Sequence, residues 1–175
     1  MAGYGDKPFG LREIKLANLA GDSVIALPAA TTLGFKARLV SGELRGNDIV
    51  QALVAIEDAV EWSLEAGGIS LEAWALMTGR TVTETGTTPG RTNTLNIAGG
   101  TVYPYFKIYG KAVGENATDD IHVKLYKCKL TEPLDGSFAD GEFYVTSCSG
   151  LALPDGVNGI ADIVQNETAT ALPAS

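Results

Sequence analysis

Residues 41–80 read SGELRGNDIVQALVAIEDAVEWSLEAGGISLEAWALMTGR, and the spacing of apolar residues along this stretch decides the fold class. Val60, Trp62 and Leu64 alternate with Glu61, Ser63 and Glu65, the two-residue period of a strand with one face covered. Ahead of them, residues 49–56 are almost continuously apolar and rich in β-branched side chains. That pattern fits a strand buried on both faces or covered by a neighbour. Gly42, Gly46 and Asn47 mark a turn region before it, and further upstream Phe35, Ala37 and Leu39 alternate with Lys36 and Arg38 in another half-buried strand. One short helix follows, over about residues 70–78. Ser70 can cap its free amides, Glu72 sits in the positive first turn, and Gly79 follows the last turn as a left-handed stop. Ile69 and Trp74 stand at staple spacing across the cap. Leu71, Trp74, Ala75 and Thr78 share a face, so the helix is expected to lay Leu71 and Trp74 on a sheet.

The rest of the chain is written in strands and turns. Residues 81–95 are dominated by Thr, Gly and Asn around Pro89 and Gly90, which reads as a long hairpin with a mobile tip. Strands are expected in residues 102–113, 121–130 and 142–148, with turns between them. Within 121–130 the apolar phase changes between Leu125 and Tyr126, the mark of a bulge or bend where one strand serves two surfaces. Together these elements predict a mainly β domain over residues 1–175, with two packed antiparallel sheets flanked by the helix. The first dozen residues and the stretch from about 160 to 175 have little to hold them in a core and are expected to be flexible arms.

Composition narrows the function. With 13 Lys and Arg against 21 Asp and Glu, the net charge of -8 has the wrong sign for gripping phosphates. The start, MAGYGDKPFG, has neither the basic stretch nor the apolar run of a secretory signal, and no apolar run approaches membrane-spanning length; a soluble cytoplasmic product is expected. In a reducing compartment Cys128 and Cys148 are expected to be free, partly buried thiols. The single histidine, His122, lies on a strand with nothing nearby in sequence to complete a catalytic set. Thr-Ser-Cys-Ser-Gly around Cys148 lacks the glycine that a nucleophile elbow needs two residues ahead. No His or Cys pair stands at metal spacing, and the carboxylates at Asp135, Asp140 and Glu142 do not follow an EF-hand loop. No enzymatic activity, cofactor or metal is expected. What remains is an acidic β domain whose edge strands must be protected or used, and assembly is the natural use.

The segment 41–80 resembles the central block of siphophage major tail tube proteins: a Gly-Asp-like turn, two strands, a Glu-Ala-Gly-Gly corner, and a helix ending at Met77-Thr78-Gly79. TVYPYFKIYGKAV at 101–113, DDIHVKLYKCKL at 119–130 and GEFYVTSCSGLAL at 141–153 are similar to the strands that follow in that family, in the same order. The resemblance implies a structural virion protein assembled in the host cytoplasm. Six copies would close into a ring with an inner β-barrel, and rings would stack into the hollow tail tube. Its partners would be further copies of itself, the tape measure protein, and the tail tip and terminator proteins, with DNA passing through the lumen unbound. Tyr4, Phe9, Pro89, Gly90 and Arg91, together with the C-terminal arm, are the interface candidates, chosen for expected exposure and mobility. Two other readings stay open: the inner tube of a contractile tail or secretion-type injection system, and a monomeric β-sandwich binding module.

Overall fold

The computed structural model describes residues 7–46, 48–115 and 118–173. Ten strands and one helix follow in the order β1 (Pro8–Asn18), β2 (Val24–Leu27), β3 (Ala30–Gly46), β4 (Ile49–Gly67), α1 (Leu71–Thr78), β5 (Val82–Thr85), β6 (Thr92–Leu95), β7 (Phe106–Gly114), β8 (Asp120–Leu130), β9 (Val145–Ala152) and β10 (Ala161–Asn166). The chain is mainly β. Its principal sheet is eight-stranded and antiparallel, in the order β2-β1-β7-β8-β9-β4-β3, with β10 added on β8; β5 and β6 form a separate two-stranded sheet.

Where two large packed sheets were expected, a single sheet therefore curls over itself. The device that permits this lies in β8. Phe106 pairs with Cys128 and Ile108 with Leu125, so β8 carries one more residue than β7 between these points. The extra residue is a bulge at the place where the apolar phase changes in the sequence. Ahead of it, β8 gives its second edge to β10 from Asp120 to Leu125; after it, Cys128–Leu130 pairs with β9. The sheet forks there, and its β9-β4-β3 branch folds back until Leu33 of β3 packs directly on Gly110 of β7, where any Cβ would collide with it. The sheet stays open, its path ending on β2 and β3.

The enclosed core is apolar throughout. Trp62 and Phe106 meet edge to face at 5.7 Å between Ile14, Leu16, Leu64, Ile108 and Leu125, and each such side chain contributes roughly 2–3 kcal/mol by leaving water. Cys128 and Cys148 are free and buried, and burial pushes the Cys148 thiol up to about 12. Helix α1 begins and ends as its sequence specifies: Ser70 Oγ accepts from the Ala73 amide at 3.3 Å, and Gly79 adopts φ 71°. Its packed face matches the expected one only at Thr78: Ala73, Met77 and Thr78 are its buried residues, while Leu71 and Trp74 are only partly buried.

Neither terminal segment is a free arm within the described residues. From Pro8 onward the N-terminal stretch is already strand β1, paired with β7 through two register shifts near Gly10 and Arg12. At the other end, β10 is hydrogen-bonded along β8 and Leu172 is buried against Ala17 and Tyr109.

Gly150 marks the tightest strand crossing. It pairs with Trp62 on one side and Leu130 on the other, and an added Cβ would strike the Lys129 carbonyl and lie 2.7 Å from Trp62 Cζ2. Gly150→Ala is expected to cost about 3 kcal/mol, read as a lower urea midpoint at unchanged slope; an unaltered midpoint would show that β8 and β9 part freely.

Candidate assembly surface

The β3–β4 ribbon outruns the strands that cover it. β9 pairs with β4 only from Val60 to Gly67, so among the described residues the outer part of the hairpin has both edges open. At its base, Phe35 pairs with Trp62 and Ala37 with Val60 on the core side, while Lys36 pairs with Glu61 on the solvent side. Arg38 then pairs with Ala59 and Leu39 with Glu57, which makes Asp58 an extra, bulged residue. Arg38 holds it bidentately, Nε to Oδ1 at 2.9 Å and Nη2 to Oδ2 at 2.6 Å, and that hydrogen-bonded pairing keeps the Asp58 carboxyl below its ordinary range.

Past this bulge the polarity of the two faces changes. Paired residues share a face and alternate along the ribbon. The solvent side therefore continues as Val40 with Ile56, Gly42 with Val54 and Leu44 with Ala52, an entirely apolar surface. The core side continues as Leu39 with Glu57, Ser41 with Ala55 and Glu43 with Leu53, a mixed one. Leu44 is 65% exposed, Val54 58% and Ile56 61%. One inserted residue turns the even-numbered side chains of β4 from the core to the outside. The sequence carries a trace of this surface in the unbroken apolar run 49–56, for which a covering neighbour was one of two readings; among the described residues nothing covers it.

The residues chosen for exposure lie on other elements. Phe9 is 84% exposed at the start of β1, opposite Val113. Pro89, Gly90 and Arg91 form the tip between β5 and β6, where Arg91 Nε pairs with Glu84 Oε1 at 3.2 Å. Tyr4 lies outside the described residues.

A second polar feature, missed in the sequence, closes the outer face of the sheet. Residues 166–173 run as a strap across β8, β7 and β1. Asp120, fully buried, accepts from Asn166 Nδ2 at 2.6 Å and from the Thr170 amide at 2.7 Å, and pairs with Lys111 Nζ at 2.9 Å. Lys111 also donates to the Thr170 carbonyl, and Lys15 Nζ to the Pro173 carbonyl at 3.3 Å. Buried His122 stands 3.2 Å from the same carboxylate. Burial pushes the Asp120 carboxyl up, but the hydrogen bonds from Asn166, Lys111 and Thr170, with a smaller electrostatic contribution from His122, outweigh it and hold the group at about 2. Among the described residues, no three His, Cys, Asp or Glu side chains are grouped for a metal ion. Comparison with protein-family models and with curated proteins gives no match.

Because the folded-state value of Asp120 lies below the ordinary 3.8, its stabilisation is present above that pH and is lost as pH falls towards about 2. Asp120→Asn is expected to cost about 3 kcal/mol at neutral pH, with wild type and variant converging across that acid window in urea titrations. A gap independent of pH would assign the loss to shape instead of charge.

Proposed function

We propose that this chain is the repeating subunit of a self-assembled tube, the major tail tube protein of a long, non-contractile-tailed bacteriophage. The observation that carries the reading is the apolar outer face of the β3–β4 hairpin, placed beyond a bulge on a ribbon with two open edges. Its four large side chains, Val40, Leu44, Val54 and Ile56, present on the order of 400 Å² at about 100 Å² each, about half the share one partner contributes to a stable interface. At about 25 cal/mol/Å² this is roughly 10 kcal/mol of burial left unused by the single chain, within the range of about 4–15 kcal/mol for the freedom lost on association, so pairing of the open sheet edges has to contribute as well. A monomeric binding module that works through its loops leaves such a surface unexplained. The open curled sheet supports the same reading, because neighbours in a ring can take up the edges that one chain leaves unpaired. In the proposed tube six copies close each ring, rings stack around the tape measure protein between tip and terminator, and the acidic balance of the chain keeps passing DNA from adhering.

Negative-stain microscopy and sedimentation of the purified chain at rising concentration and salt test this. Rings or hollow tubes are expected. Val54→Asp should keep wild-type stability to within about 0.5 kcal/mol and remain monomeric; a wild-type chain that is monomeric under every condition sinks the reading.

A further inference from the structure

On the outer face of β1, β7 and β8 the local charge is opposite to that of the chain as a whole. Lys15, Lys107, Lys111, Lys124, Lys127 and Lys129, six of the 13 basic residues, alternate with core residues along these strands and so share that face. The strap occupies the part of it around Lys15 and Lys111, which donate to the Pro173 and Thr170 carbonyls. Lys107, Lys124, Lys127 and Lys129 are half-buried and form no ion pair among the described residues. We infer that these four lysines form a docking surface for an acidic polypeptide segment of another protein, laid across the sheet beside the strap. The proposal goes beyond the assembly reading and does not depend on it.

Three observations carry the assignment. First, two of the charges converge. Lys127 Nζ lies 5.0 Å and Lys129 Nζ 4.9 Å from the centre of the Tyr105 ring. The two ammoniums therefore stand within about 10 Å of each other, the screening length at 0.1 M salt, and an anion placed against both relieves their repulsion. Tyr105 also lines an adjoining recess of about 650 Å³ that holds Arg80, whose Nε is buried with no hydrogen-bond partner among the described residues. Second, the acids at the border of the row are already engaged. Asp162, paired in register with Lys124, accepts from Tyr126 Oη; Asp22, next to the Gly21 that approaches Lys107, accepts from Asn18; Asp155 takes the Val157 and Asn158 amides. With these carboxylates at its border and a net charge of -8 behind it, the face repels a long polyphosphate, whose charge runs past the lysines on either side. A short acidic segment instead confines its carboxylates to the row. Third, the strap shows how this face holds a polypeptide: it crosses the same three strands with its carbonyls on Lys111 and Lys15.

The test is the fluorescence anisotropy of a labelled decaglutamate peptide titrated with the full-length chain at low salt, with circular dichroism and urea melts to verify the folding of each variant. Saturable binding is expected. The double variant Lys127→Gln, Lys129→Gln should weaken it about tenfold. Lys36→Gln with Arg45→Gln removes the same charge from the exposed β3–β4 branch and should leave binding unchanged. Tyr105→Leu alters no charge, yet should weaken binding about threefold, because the ammoniums lose the ring that gathers them. Absence of binding by wild type, equal weakening by the two double variants, or an unchanged affinity of Tyr105→Leu overturns the assignment. So does a labelled decathymidylate that binds as tightly as the peptide, since the face would then select charge alone.

Discussion

A strand has two faces and two edges, and the β3–β4 ribbon is longer than anything in its own chain that could cover them. Through residues 60–67 the demands are met: β9 takes the free edge of β4, and Trp62 turns inward to Phe106. Beyond Ala59 neither cover exists among the described residues. An overlong ribbon meant to remain in water would be polar on both sides and blunted by charge or proline. This one instead gathers Val40, Leu44, Val54 and Ile56 on a single outer face and confines Glu43 and Glu57 to the other. The Asp58 bulge, clasped by Arg38, is the hinge of the arrangement, because it lets β4 keep one apolar register while presenting it first to the core and then away from it.

The strap on the opposite surface shows a different economy. Asp120, Lys111 and His122 are taken out of water, where each alone would be unfavourable, and the arrangement holds because the strap's own amides and carbonyls complete the set. The polar cluster thus needs the strap, and the strap, with only Leu172 as an apolar anchor, needs the cluster. Such mutual dependence fixes one position for a segment whose composition gives it no other reason to be ordered.

That contrast explains what could be read in advance. Features set by neighbours in sequence were legible: the cap and stop of α1 at Ser70 and Gly79, the hairpin across residues 81–95, and the bulge after Leu125 all follow from a few adjacent side chains. The strap was not, because Thr170 finds Asp120 across fifty positions and Leu172 finds Ala17 across the whole domain. The fork of β8 was half legible. Its bulge shows in the phase of the apolar residues, but that it joins what were read as two sheets into one depends on β10, whose alternation is too short to stand out. For the candidate surface, the even apolar run 49–56 was read as a strand buried on both faces or covered by a neighbour; its side chains are exposed, and only the register with β3 shows which of them share a face.

Electrostatics and apolar area then act on different parts of assembly. A net charge of -8 on every copy repels approaching subunits over distances set by the ionic strength, about 10 Å at 0.1 M salt and 3 Å at 1 M. The apolar hairpin face acts only at contact and is not weakened by salt. In the proposed assembly, charge would therefore govern how readily copies meet, while the hairpin and the open sheet edges would govern what they form once they do. A contact that joined like surfaces would bury one apolar face against its twin and stop at two copies. In the proposed tube, a closed ring would instead leave no end of the series exposed and would offer the sheet edges at β2 and β3 to neighbouring copies.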